Sequence, residues 1–417
     1  MNTLHKIHFA GLSLIVPALC SGPFLPDLII SITGLIFITI TLVEKQYKYY
    51  KSYFFIFFIL FNFYLIINSY FSEFPLLSLE SSLFYFRFIF LVLSIWYAIE
   101  NYKEFIFVFR IIFLTTFTLI ILDAYVQYFL GINFLGYIYN QDRLSGIFGD
   151  ELILGSFLSR LFPLLFALLI LTNNKYYMFY SVILFFLIYI LIFLSGERLA
   201  FFYMILFILI VIFLVNKWKI IRISTFLIST ILIFVIINSN QSVKDRMITY
   251  TYTQIYDSQN TAETSILKKF RIFSAEHQSI YLSAYNIFND NFIIGVGPKN
   301  FREYCKKEKY NTLDSCRSHP HNFYMQLLSE TGIIGFIPFF IMFIYLSIIF
   351  IRKFLNYFVK KKYIISDYKI SLLSCIYISI FPFVPSGNIF NNWMSVIYFL
   401  PIGFLFLNEK NYVNQNL

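Results

Sequence analysis

Two imidazoles and an amide stand close together in the run Cys316-Arg-Ser-His319-Pro-His321-Asn322, nine residues before Gly332-Ile-Ile-Gly335. A histidine with an ordinary pKa near 6.5 can accept a proton from an attacking hydroxyl at neutral pH. His321 is the first choice for that role and His319 the alternative. Pro320 between them favours an extended segment, so their rings are expected to point in different directions. Asn322 makes a good N-cap for the apolar run that begins at Phe323, which would turn free amides and a positive helix end toward an anion beside the histidines. His277, upstream, either orients a substrate or is simply solvated.

These residues sit among apolar segments. With 59% hydrophobic and 13% charged residues in 417, the chain cannot be wrapped into a soluble globule. An all-α polytopic membrane protein of about twelve transmembrane helices is expected, at roughly 7–20, 28–43, 52–68, 83–98, 105–122, 151–171, 176–194, 199–215, 221–237, 323–350, 370–385 and 393–407. Residues 1–238 would hold nine spans, 239–321 one long loop, and 322–417 the last three. Lys6, Lys45, Lys48, Lys51, Lys103, Lys175, Lys217, Lys219, Arg222 and the run from Arg352 to Lys369 fall at one end, and the opposite short loops carry little beyond Arg143 and Arg198. The positive-inside rule then makes both termini cytoplasmic and exports the long loop. The first apolar stretch reads as the first anchor rather than a cleavable signal. The net charge of +10 is mostly topology, and no basic soluble domain supports a nucleic-acid partner.

Chemistry is therefore expected in the exported loop. Residues 274–289 suggest an amphipathic helix lying on the membrane interface, with Tyr281, Ala284, Tyr285 and Phe288 on one face. Gly295 and Gly297 mark a tight turn, followed by Lys299, Arg302 and the solvated run Lys306, Lys307 and Lys309. Cys305 and Cys316 lie where oxidation is permitted, and a disulfide between them would restrain the segment leading to the histidines; two free thiols are the other reading.

The order of these pieces resembles the O-antigen ligase and O-antigen polymerase superfamily, multi-spanning glycosyltransferases of the GT-C type. The resemblance rests on Ser195-Gly-Glu-Arg198, Arg143-Leu-Ser-Gly146-Ile-Phe-Gly149, Gly295-Val-Gly297-Pro-Lys-Asn-Phe301, and His321-Asn322 followed by Gly332 and Gly335. Phe202 departs from the leucine that ligases often show four residues beyond the arginine matched by Arg198. The resemblance implies a bacterial inner-membrane enzyme with a periplasmic active site. Its donor would be a glycan on polyprenyl diphosphate, and its acceptor a sugar hydroxyl on lipid A-core for a ligase or on another lipid-linked glycan for a polymerase.

A lipid diphosphate needs cations at the membrane surface, and the planar fork of arginine suits two phosphate oxygens at once. Arg198 is the first choice and Arg271 its helper, with Arg143, Lys299 and Arg302 as further candidates; Arg198 could instead be an interfacial anchor. Glu330 and Arg160, both deep in their spans, are expected to pair, Asp150 and Glu151 to cap the helix that follows them or else to contact substrate, and Gly332 and Gly335 to permit close helix packing. Neither an Asp-x-Asp pair nor a phosphate-binding glycine loop is present, so transfer without metal or cofactor is expected. A transporter or lipid flippase is the competing class, but such proteins gather charge at the midplane rather than in one loop.

Overall fold

Apolar runs of this chain are helices, and among the described residues the β-structure is limited to isolated bridge positions, at Ile132 with Ile138 and at Arg143. The computed structural model describes residues 3–139, 143–172, 174–255, 273–312, 315–359, 365–409 and 412. In chain order the helices are Thr3–Ser13 (α1), Ile15–Leu19 (α2), Phe24–Val43 (α3), Tyr53–Tyr70 (α4), Pro75–Ser82 (α5), Phe86–Asn101 (α6), Phe105–Leu130 (α7), Leu154–Ile170 (α8), Lys175–Leu194 (α9), Arg198–Leu214 (α10) and Lys219–Ser239 (α11). Then come Gln241–Lys244 (α12), Tyr250–Ile255 (α13), Ala275–Asp290 (α14), Phe301–Tyr304 (α15), Phe323–Val359 (α16), Asp367–Ser379 (α17) and Asn392–Phe404 (α18).

Among the described residues, 7 helical stretches are long and apolar enough to cross a bilayer, while α8, α10 and α18 are apolar but shorter. The chain is thus a polytopic all-α membrane protein. α8 is the hub of the bundle: every residue in it except Ser156 is buried, so its apolar surface faces protein on all sides. The expected first span is interrupted at Leu14, between α1 and α2. α7 runs beyond the expected 105–122 because its polar residues are satisfied locally. Asp123 accepts from Phe134 N, and the Gln127 side chain accepts from the amides of Ser145 and Gly146. α17 stops at Ser379, ahead of Pro382, rather than reaching 385.

The first part of the long loop is helical in α12, a π-turn at Asp245–Thr249 and α13. α14 does not simply lie on an interface. Its Ile280, Tyr281, Ala284 and Ile287 are buried in a small core with Val296, Phe301, Cys305 and Tyr310, while Tyr285 stays exposed. Cys305 and Cys316 are joined by a disulfide in this unit. The loop's lysines are exposed, as expected, and each has an acidic partner at the surface. Lys306 pairs with Glu303, Lys307 with Glu73 and Lys309 with Asp290.

The unit is fastened to the bundle at a break in α16. Gly332 has φ 60 and ψ −166, a conformation essentially confined to glycine. Carbonyls freed at the break accept from Val296 N and Gly297 N, and Ile333 N donates to Phe292 O, so the turn carrying Gly295 docks backbone to backbone on α16. A Cβ on Gly332 would lie 2.4 Å from Ile293 O, and one on Gly295 would lie 2.5 Å from the Glu330 carbonyl carbon. Gly332 therefore serves a helix break and not helix packing, and Gly335 gives room to Thr331 of its own helix. Tyr64 and Asn68 of α4 close the junction by donating to Thr331 O and Ile294 O respectively.

Candidate active site

A cavity of about 1610 Å³ opens where the long loop meets the starts of α8, α10 and α18, the segment between α17 and α18 and the turn between α2 and α3, and it collects His277, His319 and His321 with Arg143, Arg198, Arg246 and Arg302. The histidines come together more closely than their sequence suggests. The ring centroids of His319 and His321 are 4.1 Å apart, and those of His321 and His277 are 6.0 Å apart. The expectation of diverging rings fails because His321 adopts φ 53, a left-handed conformation that turns its side chain back toward His319. Ser386 N holds the His321 carbonyl at 2.7 Å.

Asn322 caps α16, its Oδ1 accepting from Tyr324 N and Met325 N at 3.0 and 3.1 Å. These amides are therefore not left free for an anion. The Asn322 amide also donates to Pro382 O and Val384 O, tying the histidine turn to the segment between α17 and α18. That segment is fixed further by Gln326, which donates to Asn388 Oδ1, accepts from Ile389 N, and donates to Glu330 Oε2. Glu330 and Arg160 do not pair. Arg160 is wholly buried over the Tyr203 ring and donates to its hydroxyl at 3.2 Å.

The four arginines reach the cavity from different elements. Arg198, at the start of α10, donates to Thr251 Oγ1 and Gln254 Oε1 of α13. Arg246 donates to Gly196 O and Arg143 to Leu152 O. Nε of Arg143 and of Arg302 is buried without a hydrogen-bond partner. Among the described residues none of the four forms an ion pair within salt-bridge distance, although the Glu197 carboxylate lies near enough to Arg143, and that of Glu330 near enough to Arg302, to act on them through space. Arg246 was not singled out in the sequence; its signal is the spacing of Val243 and Met247, both buried, which marks a helix with Arg246 beside its packed face. Lys299 pairs with Glu80 and does not line the cavity. Arg271 lies outside the described residues.

Glu197 is the acidic counterpart that sequence reasoning left without a role. Its carboxylate accepts from Gly155 N, Ser156 N and Ser156 Oγ at 2.6, 3.0 and 2.7 Å, capping the N-terminus of α8 from the neighbouring helix junction. The expected cap by Asp150 or Glu151 is thus replaced, and Glu151 lines the cavity instead.

Burial lowers the pKa of all three histidines: His319 to about 3, with the His321 ring adding to the effect, and His321 and His277 below their ordinary value. The imidazoles are accordingly held neutral, the form that accepts a proton. Glu276, whose carboxyl is held low by a 2.7 Å pair with Arg317, braces α14 against the histidine turn. Among the described residues no group of three or more His, Cys, Asp or Glu is arranged to hold a metal ion.

Apolar wall, arginine cluster and neutral imidazole together make a place where an anionic headgroup on a lipid could meet a hydroxyl. No curated protein matches the chain. Residues 182–340 match the family model described as O-antigen ligase, a stretch that runs from α9 through Arg198, Arg246 and the histidines to the break in α16. That match supports the O-antigen ligase and polymerase superfamily for the segment that brings Arg198, Arg246 and the three histidines to the cavity.

Proposed function

We propose that this protein is a ligase-like glycosyltransferase that moves a glycan from polyprenyl diphosphate to a sugar hydroxyl of lipid A-core at the periplasmic face of a bacterial inner membrane. The observation that carries this reading is the meeting of His321 with four arginines in one cavity, none ion-paired among the described residues. Arg198 and Arg246 hold the diphosphate, with Arg143 and Arg302 behind them. The acceptor oxygen attacks the anomeric carbon while its proton passes to His321. The bond from that carbon to the phosphate oxygen breaks, and the lipid diphosphate leaves with the electron pair toward the arginines. His277 orients the acceptor, and His319 buttresses His321. A single displacement of this kind inverts the anomeric configuration, and the guanidinium groups supply the positive charge for it without metal or cofactor.

Twelve spans with cytoplasmic termini fit the same reading. Lys45, Lys48, Lys103, Lys217 and Lys219 lie at helix ends remote in sequence from every cavity-lining residue, as short cytoplasmic loops require. The test is to delete the gene, restore wild-type or His321→Ala protein, and separate lipid A-core from polyprenyl-linked material. Long glycan held on polyprenyl diphosphate above bare lipid A-core, relieved by wild type alone, is the expected result. Lipid A-core bearing a single repeat unit would make the protein a polymerase, and unchanged glycans would favour transport.

A further inference from the structure

The loop after α7 closes as a small hairpin, residues 131–139, whose two sides meet different surroundings. Part of its backbone is satisfied from within: Asn133 N donates to Tyr137 O, Tyr139 N to Gly131 O, and Asn133 Oδ1 accepts from Leu135 N and Tyr137 N. Asp123 of α7 anchors it by accepting from Asn133 Nδ2 and Phe134 N. On the inner side Tyr137 lines the cavity, its ring so close to Gly149 that a Cβ there would lie 2.7 Å away. On the outer side Phe134, Leu135 and Ile138 are 73%, 64% and 77% exposed.

This apolar patch is continuous with the outward surface of a spanning helix, for Phe129 and Leu130 at the end of α7 are also largely exposed. No charged residue occurs between Asp123 and Asp142 in the sequence. Non-helical backbone enters hydrocarbon only where its polar groups are satisfied, so the partly satisfied backbone of this hairpin sets it at the headgroup boundary, where water meets the remaining groups. An exposed patch of such composition at the end of a membrane helix fits lipid and not water.

We propose that hairpin 131–139 is a membrane-inserted lip of the cavity, with Phe134, Leu135 and Ile138 among acyl chains at the headgroup boundary and Tyr137 turned to the cavity. The insertion does not depend on what the cavity binds. The full chain is reconstituted in phosphatidylcholine and phosphatidylglycerol nanodiscs as Phe134→Trp and, separately, Ile138→Trp, and the emission of the parent's native tryptophans is subtracted. The expected result is blue-shifted emission from the new indole, quenched several-fold more by acyl-brominated phospholipid than by aqueous iodide. Quenching by iodide alone would overturn the proposal. So would shielding from both quenchers, which would mean that a second copy of the chain covers the patch. Should either variant fail to fold, the other carries the test, and a nitroxide at Leu135→Cys in a Cys20→Ser, Cys375→Ser background gives the same depth reading.

Discussion

The backbone amide of Ser386 donates to the carbonyl of His321 at 2.7 Å, so the segment between α17 and α18 holds the histidine in its left-handed conformation. A non-glycine residue in that region costs on the order of 1 kcal/mol and persists only where neighbours over-determine it. Ser386, the Tyr281 hydroxyl and the two carbonyl contacts of Asn322 are those neighbours. Strain of this kind beside a cavity is a means of aiming one imidazole.

Asn322 separates the cap from the strap. Asn322→Ala loses the cap and leaves two carbonyls without a donor, a cost of about 2–3 kcal/mol, visible as a lower melting temperature in detergent. Asn322→Asp keeps an acceptor for the α16 amides but sets a carboxylate against the carbonyls of Pro382 and Val384. Glycan transfer is expected to fall at least tenfold in both. Wild-type transfer by Asn322→Asp would show that the strap does not aim His321.

The pH profile should report His321. Burial lowers its pKa below the ordinary 6.5, so the proton-accepting form persists into mildly acidic solution, and transfer declines only as pH falls through that lowered value. His277 and Arg317 push in the same direction and Glu276 opposes them, while His319, already held to about 3, stays neutral throughout. An initial-rate profile in nanodiscs should place the acidic limb below pH 6.5, and Glu276→Gln should move it lower still. A limb at or above 6.5 would contradict a buried neutral base.

Arginine geometry gives a separate test. Charge-assisted hydrogen bonds contribute about 1.5–3 kcal/mol, so Arg198→Ala and Arg246→Ala should each lower kcat/KM for the lipid-linked donor by roughly 10- to 100-fold. Arg198→Lys should recover little, because an ammonium cannot reproduce the fork that reaches Thr251 and Gln254 while facing an anion. Equal activity of the lysine and arginine forms would reduce Arg198 to an interfacial cation.

Composition was enough to mark the helices, since apolar runs in a bilayer have few other backbone solutions. His321 and Arg198 were likewise singled out by residue type, and the structure brings both to the cavity. What stayed hidden depends on partners far off in sequence. Glu197 caps α8 from another helix junction, whereas local rules inspect only the residues just before a helix. Arg246 finds its place through the Gly196 carbonyl. The converging histidine rings follow from a backbone angle that Pro320 does not reveal. Two glycines three residues apart look alike whether they pack a helix or break it.

The break at Gly332 is the junction through which the loop unit is registered on the bundle, and it yields the largest expected stability effect. Gly332→Ala must place a Cβ in a conformation essentially confined to glycine and within 2.4 Å of Ile293 O. Strain of about 1–3 kcal/mol is then joined by a backbone clash that neither chain can relieve without giving up the contacts between residues 292–297 and α16. Gly335→Ala has no positive φ to strain and meets Thr331 of its own helix: a rotamer change moves the hydroxyl, but the Thr331 Cβ is fixed to the backbone and is relieved only by a local shift of that turn. The Gly332 variant should therefore melt further below wild type than the Gly335 variant and, unlike it, expose the 291–300 turn to limited proteolysis. Equal loss in the two would mean that both glycines serve helix packing after all.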